Sequence, residues 1–235
     1  YDLSKLIAGS FGTLVALTQI TLKVLPKKKL SNTITIYTEE KKLINELFEK
    51  ISSSSSEISG AVYIPEEPMS ESYDHNKEMI FKFNDLKFKG SFLALRLEGD
   101  KISIDEKIRA LTDELKLNKL KSTILDVYQS TPFWKKINNL ELFKLTKNNL
   151  LRVVIPPSQG NKLMQYLGNK YKYYIDWCGS LYWIEVPANK TSKVGEIKKL
   201  IKELEGYLTI IKTSNEFDYE ETIFTVDDTR LLISE

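Results

Sequence analysis

The order of strand-like and helix-like stretches is the feature that most limits how this chain can fold. From residue 33 onward, apolar or β-branched runs alternate with amphipathic runs in the order strand, helix, strand, strand, helix, strand, and this order occurs roughly twice. It is typical of the split β-α-β unit of ferredoxin-like folds. Two such units can join into one broad antiparallel sheet with helices on one face, so the sequence predicts an α+β fold.

Hydrophobic periodicity places the individual elements. In residues 39–51, for example, Leu43, Ile44, Leu47 and Phe48 fall on one face of a helix. The predicted strands cover residues 33–37, 60–64, 79–83, 92–97, 122–127, 150–155, 171–175, 181–186 and 207–212. The predicted helices cover residues 39–51, 104–117, 132–138, 159–167 and 193–204. A turn beginning at Asn84-Asp85 and an extended segment at residues 222–226 complete the prediction.

A helix, two spaced glycines and a long alternating run occupy the start of the chain. Residues 3–8 are predicted as a helix with Asp2 as its N-cap, and Gly9 stands where a left-handed residue usually ends a helix. Gly12 is a second position of this kind. Residues 13–24 alternate as a strand does, and residues 26–32 are predicted as a linker. Because a domain rarely begins on a capped helix, we expect a further segment before Tyr1.

This start resembles a segment of a known enzyme family. The sequence from Tyr1 to Leu6, the turn Gly9-Ser10-Phe11-Gly12-Thr13-Leu14 and the run up to Pro26 resemble the vanillyl-alcohol-oxidase-type (PCMH-type) flavoproteins. Within them, the similarity is to the small FAD-binding subunits of bacterial glycolate oxidases. Two weaker similarities are the strand and prolines at residues 150–157 and the sequence Asp176-Trp177-Cys178-Gly179.

The resemblance implies FAD as the cofactor. In the family this segment ends the PCMH-type FAD-binding domain, so residues 1–30 correspond to that end, residues 31–215 to a substrate or cap domain, and residues 216–235 to a tail. Glycines permit a close approach of backbone N–H donors to a pyrophosphate or to flavin carbonyl oxygens. The implied FAD contacts, mostly through main chain, are Gly9, Ser10, Phe11, Gly12, Thr13, Leu14, Val15 and Ala16.

The resemblance also implies an activity and partners. The family transfers a hydride to flavin, and the glycolate-type members take it from the hydroxyl-bearing carbon of a 2-hydroxy acid. The implied partners are the N-terminal FAD-binding half of the same protein, a larger flavoprotein subunit and an iron–sulfur subunit, in the cytoplasm or peripheral to the inner membrane through those partners. Val15 departs from the family's glycine, and the family's main phosphate-binding loop lies before this segment. We therefore expect an incomplete FAD site in these residues.

Arg152, Tyr174 and Trp177 are the candidate residues of a substrate pocket. The guanidinium of Arg152 suits a carboxylate substrate, and a cross-strand ion pair is the alternative role. Tyr174 and Trp177 belong to an aromatic group for which three roles are open. It lines a flavin-facing pocket, it forms a subunit interface, or it is ordinary packing within the sheet. This group comprises Tyr171, Tyr173, Tyr174, Trp177, Tyr182 and Trp183.

Composition and the remaining motifs exclude several other functions. The net charge is only +2, and the one basic run, at residues 27–29, is predicted as a solvated loop, which argues against a nucleic-acid partner. The single His75 and the single Cys178 cannot form a multi-ligand metal site. His75 is either a loop histidine or a catalytic one, and Cys178 is either an inert side chain or a reactive thiol. No membrane-spanning run or nucleotide-binding glycine motif occurs.

A second function class stays open beside the enzyme. The chain could be a non-catalytic interaction module, or a remnant subunit that lacks a complete FAD site and docks onto a larger oxidase subunit. An RNA-binding ferredoxin-like domain is disfavoured, because the sequence has neither a basic patch nor the aromatic strand motif of such domains.

Overall fold

The described part of the chain contains ten strands and six α-helices. The computed structural model describes residues 3–10, 12–24, 26–38, 40–66, 81–83, 86–88, 90–190 and 192–214. The strands are β1 Leu30–Tyr37, β2 Ile58–Ile64, β3 Phe81–Phe83, β4 Leu86–Phe88, β5 Phe92–Gly99, β6 Lys121–Leu125, β7 Asn149–Val154, β8 Lys172–Asp176, β9 Leu181–Val186 and β10 Tyr207–Lys212. The helices are α1 Leu3–Ile7, α2 Lys41–Ser53, α3 Lys101–Glu114, α4 Val127–Asn138, α5 Gly160–Leu167 and α6 Ser192–Glu203.

Eight of the strands form one antiparallel sheet with the order β10-β7-β9-β8-β2-β5-β1-β6. Its two halves have the same internal order: in each, the fourth strand lies beside the first, and the third lies between the first and the second. The halves meet where β2 pairs with β8, with Tyr63 opposite Ile175. The predicted broad antiparallel sheet of a mixed α and β fold is therefore confirmed, while β3 and β4 pair separately as a small hairpin.

One face of the sheet carries the larger core. Alternate residues of the strands, such as Leu95 and Ile184, point toward this first face and are fully buried there. Helices α2, α3, α5 and α6 cover it with side chains such as Leu47 and Ile197. Because this core runs without interruption across both halves of the sheet, it holds them together by burial of apolar surface.

The opposite, second face carries α4, which corrects the prediction that the helices lie on one face only. Phe133, Trp134 and Ile137 of this helix are buried against strands of the first half. The helix also begins earlier than the predicted residue 132. Asp126 and Gln129 form a capping box that starts it at Val127.

A buried hydroxyl network fixes α4 to the sheet. The indole Nε1–H of Trp134 donates to Oγ1 of Thr33 at 2.9 Å. The hydroxyl oxygens of Thr33 and Ser130 lie 2.7 Å apart, and those of Ser130 and Ser31 lie 3.0 Å apart. Thr33 and Ser130 have no exposed surface. This network pairs polar groups that would otherwise be costly to bury.

The start of the chain differs from its prediction in one respect. The helix before Gly9 is confirmed, but residues 13–24 form no strand. They pair with neither edge of the sheet, and a strand without a ladder partner is not stable. Asp2, the Asn84-Asp85 turn and the segment at residues 222–226 lie outside the described residues. Every helix in the described ranges is too short or too polar to cross a membrane.

Candidate functional site

In its second half, the second face of the sheet is covered by no helix of the described residues and forms an open face. Phe143 packs there, with its ring stacked on that of Tyr174 at a centroid distance of 5.6 Å. Further along β7, β9 and β10, side chains of this face stay partly or well exposed. They include Arg152, Val154, Trp183, Tyr207 and Thr209. An uncovered mixture of aromatic, aliphatic and cationic groups on a rigid sheet is a surface that can hold a ligand.

Arg152 is the charged centre of this open face. Its guanidinium carbon lies 5.2 Å from the ring centroid of Trp177. Its partners across the ladder are Trp183 on β9 and Thr209 on β10. Neither partner is acidic, and no ion pair of the described residues includes Arg152. The alternative of a cross-strand ion pair is therefore wrong, and the structure brings together two of the three predicted pocket residues.

Tyr174 does not lie with them. Its side chain is buried, and its hydroxyl donates to the carbonyl oxygen of Ile137 at 3.2 Å. Within the aromatic group, the side chains of Tyr171, Tyr173 and Tyr182 are buried in the first-face core. Ordinary sheet packing thus describes the four tyrosines, and the prediction that Tyr174 lines a pocket is wrong.

The turn Asp176–Gly179 has an unusual backbone. Trp177, Cys178 and Gly179 have successive φ angles of 50°, 51° and 93°. Left-handed conformations of residues other than glycine cost about 1–3 kcal/mol each and cluster at ligand sites. The N–H of Trp177 donates to Oδ1 of Asp176 at 2.8 Å, which fixes the start of the turn. Trp177 itself is 56% exposed, and its ring lies beside the open face, next to Arg152.

A cleft of about 280 Å³ lies beside this turn. Its floor includes Gly60 of β2, where an added carbon atom would come within 3.1 Å of the Trp134 ring, so only glycine lets that ring pack so close. The polar and aromatic lining residues are Ser59, Arg96, Trp134, Asn138, Asp176, Trp177 and Cys178. The cleft therefore places two indoles, a guanidinium, an amide and a carboxyl group within one small volume.

Burial changes the acid–base behaviour of two groups in the cleft. It raises the pKa of the Asp176 carboxyl, and the hydrogen bond from Trp177 N–H only partly offsets this. Burial, reinforced by the charge of Asp176, also raises the pKa of the Cys178 thiol. The Cys178 thiol is thus kept protonated, which supports an inert side chain over a reactive one.

The predicted cofactor segment is largely exposed. Gly9 and Gly12 have φ angles of 85° and 76°, as the predicted left-handed positions require. The N–H of Ser10 donates to the carbonyl of Ile7, and both the N–H and the hydroxyl of Thr13 donate to the carbonyl of Ser10. Leu14, Val15 and Ala16 follow as exposed chain. Phe11 and His75 lie outside the described residues.

Several residues of the cleft carried no sequence signal. Arg96, Trp134 and Asn138 come from β5 and α4, far along the chain from the turn at Asp176. Only the pairing of β2 with β5 and with β8, together with α4 on the second face, brings them together. Among the described residues, no three potential His, Cys, Asp or Glu ligands are close enough to hold a metal ion.

Comparisons with known proteins give low similarity only. No protein-family model and no curated protein sequence matches the chain. One similar solved structure is p-cresol methylhydroxylase with substrate bound, with a TM-score of 0.47 and 13% identity over 77% of this chain and 43% of that one. Another is the isoeugenol complex of 4-ethylphenol oxidase from Gulosibacter chungangensis, with a TM-score of 0.43 and 11% identity over 69% of this chain and 40% of that one.

This chain spans less than half the length of either of these two structures.

Proposed function

We propose that this chain contributes the substrate-binding cap domain of an FAD-dependent oxidoreductase that acts on a 2-hydroxy acid such as glycolate. The observation that carries the proposal is the position of Arg152. Its guanidinium lies on an uncovered sheet face, over the indole of Trp177, and forms no ion pair with a described carboxylate. A guanidinium in such a place can bind a ligand carboxylate through two parallel hydrogen bonds.

The role of Arg152 is to bind and orient. Holding the carboxylate of a 2-hydroxy acid fixes the position of the neighbouring hydroxyl-bearing carbon. Trp177 and Trp183 flank the guanidinium and exclude water from one side of the bound acid. Since partial exclusion of water strengthens charge-assisted hydrogen bonds, these indoles would raise the affinity for the acid. We assign no catalytic base among the described residues.

FAD is the cofactor that the family resemblance implies, and the segment from Gly9 to Ala16 fits that role. A carbon atom added at Gly9 or Gly12 would meet no neighbouring atom, so both backbones are open to a ligand. The N–H groups of residues 14–16 form no backbone hydrogen bond within the described part of the chain. FAD, when bound, supplies a hydride acceptor. This chain would supply one edge of its site.

The domain assignment belongs to the same proposal. Residues 1–30 would end an FAD-binding domain, residues 31–215 would form the cap domain from two ferredoxin-like units, and residues 216–235 would form a tail. The strand order of each half supports the two units. The proposed partners are an N-terminal FAD-binding half, a larger flavoprotein subunit and an iron–sulfur subunit.

A non-catalytic interaction module is the second candidate function. It is favoured by a row of apolar side chains that are 43–78% exposed: Leu14, Val15, Leu17, Ile20, Leu22 and Val24. Such a row requires a protein surface that covers it. In the enzyme this surface belongs to the FAD-binding domain, whereas in the module it belongs to another subunit. Flavin content of the whole gene product separates the two, because only the enzyme carries FAD.

The substrate role of Arg152 is tested by Arg152→Met in the whole flavin-containing gene product. The variant should keep its flavin but require at least about tenfold more 2-hydroxy acid for half-maximal flavin reduction, since a charge-assisted hydrogen-bonded pair is lost. Arg152→Lys should keep part of this affinity, because the lysine ammonium supplies the positive charge but not the two parallel hydrogen bonds of a guanidinium. The control is Arg109→Met, because Arg109 is exposed on α3. Unchanged saturation in Arg152→Met would refute the assignment.

A further inference from the structure

The cleft beside Asp176 is distinct from the open face around Arg152. Trp177 separates them: its ring lies under the Arg152 guanidinium, and its side chain also lines the cleft. Arg152 itself does not line the cleft. The cleft instead lies over β2, between the C-terminal part of α4 and the turn after β8. A ligand of the cleft is therefore a separate question from the substrate proposed above.

Asp176 is the group in the cleft whose charge is not balanced. Its Oδ1 accepts one hydrogen bond, from the backbone N–H of Trp177. No Lys or Arg of the described residues forms an ion pair with it. A half-buried carboxylate that accepts one hydrogen bond can accept several more. Because these acceptor positions are partly removed from water, leaving them without a donor costs free energy. The complement that restores the balance is a cation with several N–H donors.

The one guanidinium in the cleft does not fill this need. Arg96 donates from Nη2 to Oε2 of Glu98 at 2.6 Å and from Nε to Oγ of Ser59 at 3.0 Å. Its guanidinium carbon lies 5.6 Å from the centroid of the Trp134 ring. Because Glu98 neutralises Arg96, the unpaired charge in the cleft is that of Asp176. Arg152, which lies over Trp177 outside the cleft, forms no ion pair with Asp176. Among the groups that line the cleft, the carboxylate of Asp176 therefore favours a cationic ligand over an anionic one.

The remaining walls suit the body of such a ligand. Trp134 and Trp177 supply aromatic surface, which attracts cations as well as apolar groups. Asn138, exposed at the end of α4, supplies an amide oxygen at the rim. A volume of about 280 Å³ accommodates one small molecule.

We propose that this cleft binds a small organic ammonium ion, whose charged group is held by Asp176 and whose apolar body lies against Trp134 and Trp177. The strained turn at Trp177 and Cys178 places the Trp177 indole and the Asp176 carboxylate side by side in one wall of the cleft. The site does not depend on bound flavin or on the substrate role of Arg152.

Three probes of matched shape test the proposal on the full 235-residue chain. They are 2-phenylethylammonium, the neutral 2-phenylethanol and the anionic 3-phenylpropionate, titrated by calorimetry and by NMR of the three tryptophan indole N–H signals. The ammonium should bind at least about tenfold more tightly than either of the others. Its titration should move the signals of Trp134 and Trp177 and leave that of Trp183, which does not line the cleft.

Two variants place the binding at Asp176. Asp176→Asn keeps an acceptor for the Trp177 N–H and should weaken ammonium binding at least about tenfold, whereas Glu106→Gln on the exposed side of α3 should not change it. Asn138→Asp adds a carboxylate at the rim and should tighten binding. The proposal is overturned by equal binding of all three probes, by preferred binding of 3-phenylpropionate, by no binding of the ammonium, or by full affinity in Asp176→Asn. A flavin-free gene product would refute the oxidoreductase and leave these outcomes unchanged.

Discussion

At the scale of single residues, the Asp176 carboxylate stands out because its charge lowers stability. Burial raises its pKa in the folded state above the unfolded value. Between these two pKa values the unfolded chain binds fewer protons than the folded one, so stability falls as pH rises through this window and stays lowered above it. A group that costs stability and faces a cleft is typical of a binding site.

Asp176→Asn should therefore raise the free energy of unfolding at pH 7, because it removes the charge and keeps an acceptor for the Trp177 N–H. Below the unfolded pKa of an aspartate, about 3.9, the gain should vanish, since both side chains are then neutral. Urea unfolding of the parent chain and of the variant, at pH 7 and at a pH below the unfolded pKa of aspartate, measures this difference in stability. Glu106→Gln, on an exposed helix surface, serves as the control. A loss of stability at pH 7 would contradict the assignment.

Sequence patterns could predict single residues only in part. The strand that carries Arg152 was predictable from its apolar, β-branched run before two prolines. The left-handed backbone at Gly9 and Gly12 was predictable from the positions of these glycines after a helix. The burial of Tyr174 was not predictable, because its face of the sheet is covered by a 3-10 turn that packs Phe143 onto its ring. Alternation tells which residues share a face but not which face a later segment covers.

At the scale of elements, the hydroxyl network under α4 determines how this helix sits on the second face. Thr33→Val keeps the shape of the side chain but leaves the buried Trp134 Nε1–H without its acceptor. We expect this change to lower the free energy of unfolding by about 1–3 kcal/mol. Denaturant unfolding measures it, with Thr123→Val on the exposed surface of β6 as the matched control. Equal stability of the two variants would show that the network does not anchor the helix.

The start of α4 depends on its capping box. The Asp126 carboxylate accepts from the N–H groups of Tyr128 and Gln129 at 2.9 and 3.0 Å. Asp126→Ala removes both hydrogen bonds and should cost about 1 kcal/mol. Thermal unfolding by circular dichroism tests this, and Asp126→Asn should retain most of the stability. If Asp126→Ala unfolds like the parent chain, the helix does not depend on this cap.

Helices and strands were predictable where their periodicity is long, and less so where a cap decides the boundary. The prediction placed this helix at residues 132–138. The structure begins the helix at Val127 and places Pro132 inside it, since the Asp126 cap fixes the earlier start. Residues 13–24 show the converse: their alternation is that of a strand, yet no ladder partner exists among the described residues.

At the scale of the whole molecule, one core joins the two halves. Tyr63 of β2 and Ile175 of β8 lie opposite each other at the join, and the first-face core continues across it. We therefore expect one cooperative unfolding transition, with coincident midpoints by circular dichroism and by tryptophan fluorescence. Two separate transitions would mean that the halves are independent domains.

The broad antiparallel sheet of a mixed α and β fold could be predicted from the sequence, because strand and helix periodicities are local features. The placement of α4 on the second face and the cleft that it forms could not, because they arise from contacts between distant parts of the chain. The central claim about function concerns the open face, which would bind the substrate, and the exposed start of the chain, which would supply one edge of a flavin site.

The most direct measurement of that claim is the flavin absorbance of the whole gene product that carries this chain, recorded without oxygen before and after addition of glycolate or another 2-hydroxy acid. The account predicts that the protein purifies with FAD and that the acid bleaches the oxidised flavin band. A whole protein that contains no FAD and takes none up would contradict it.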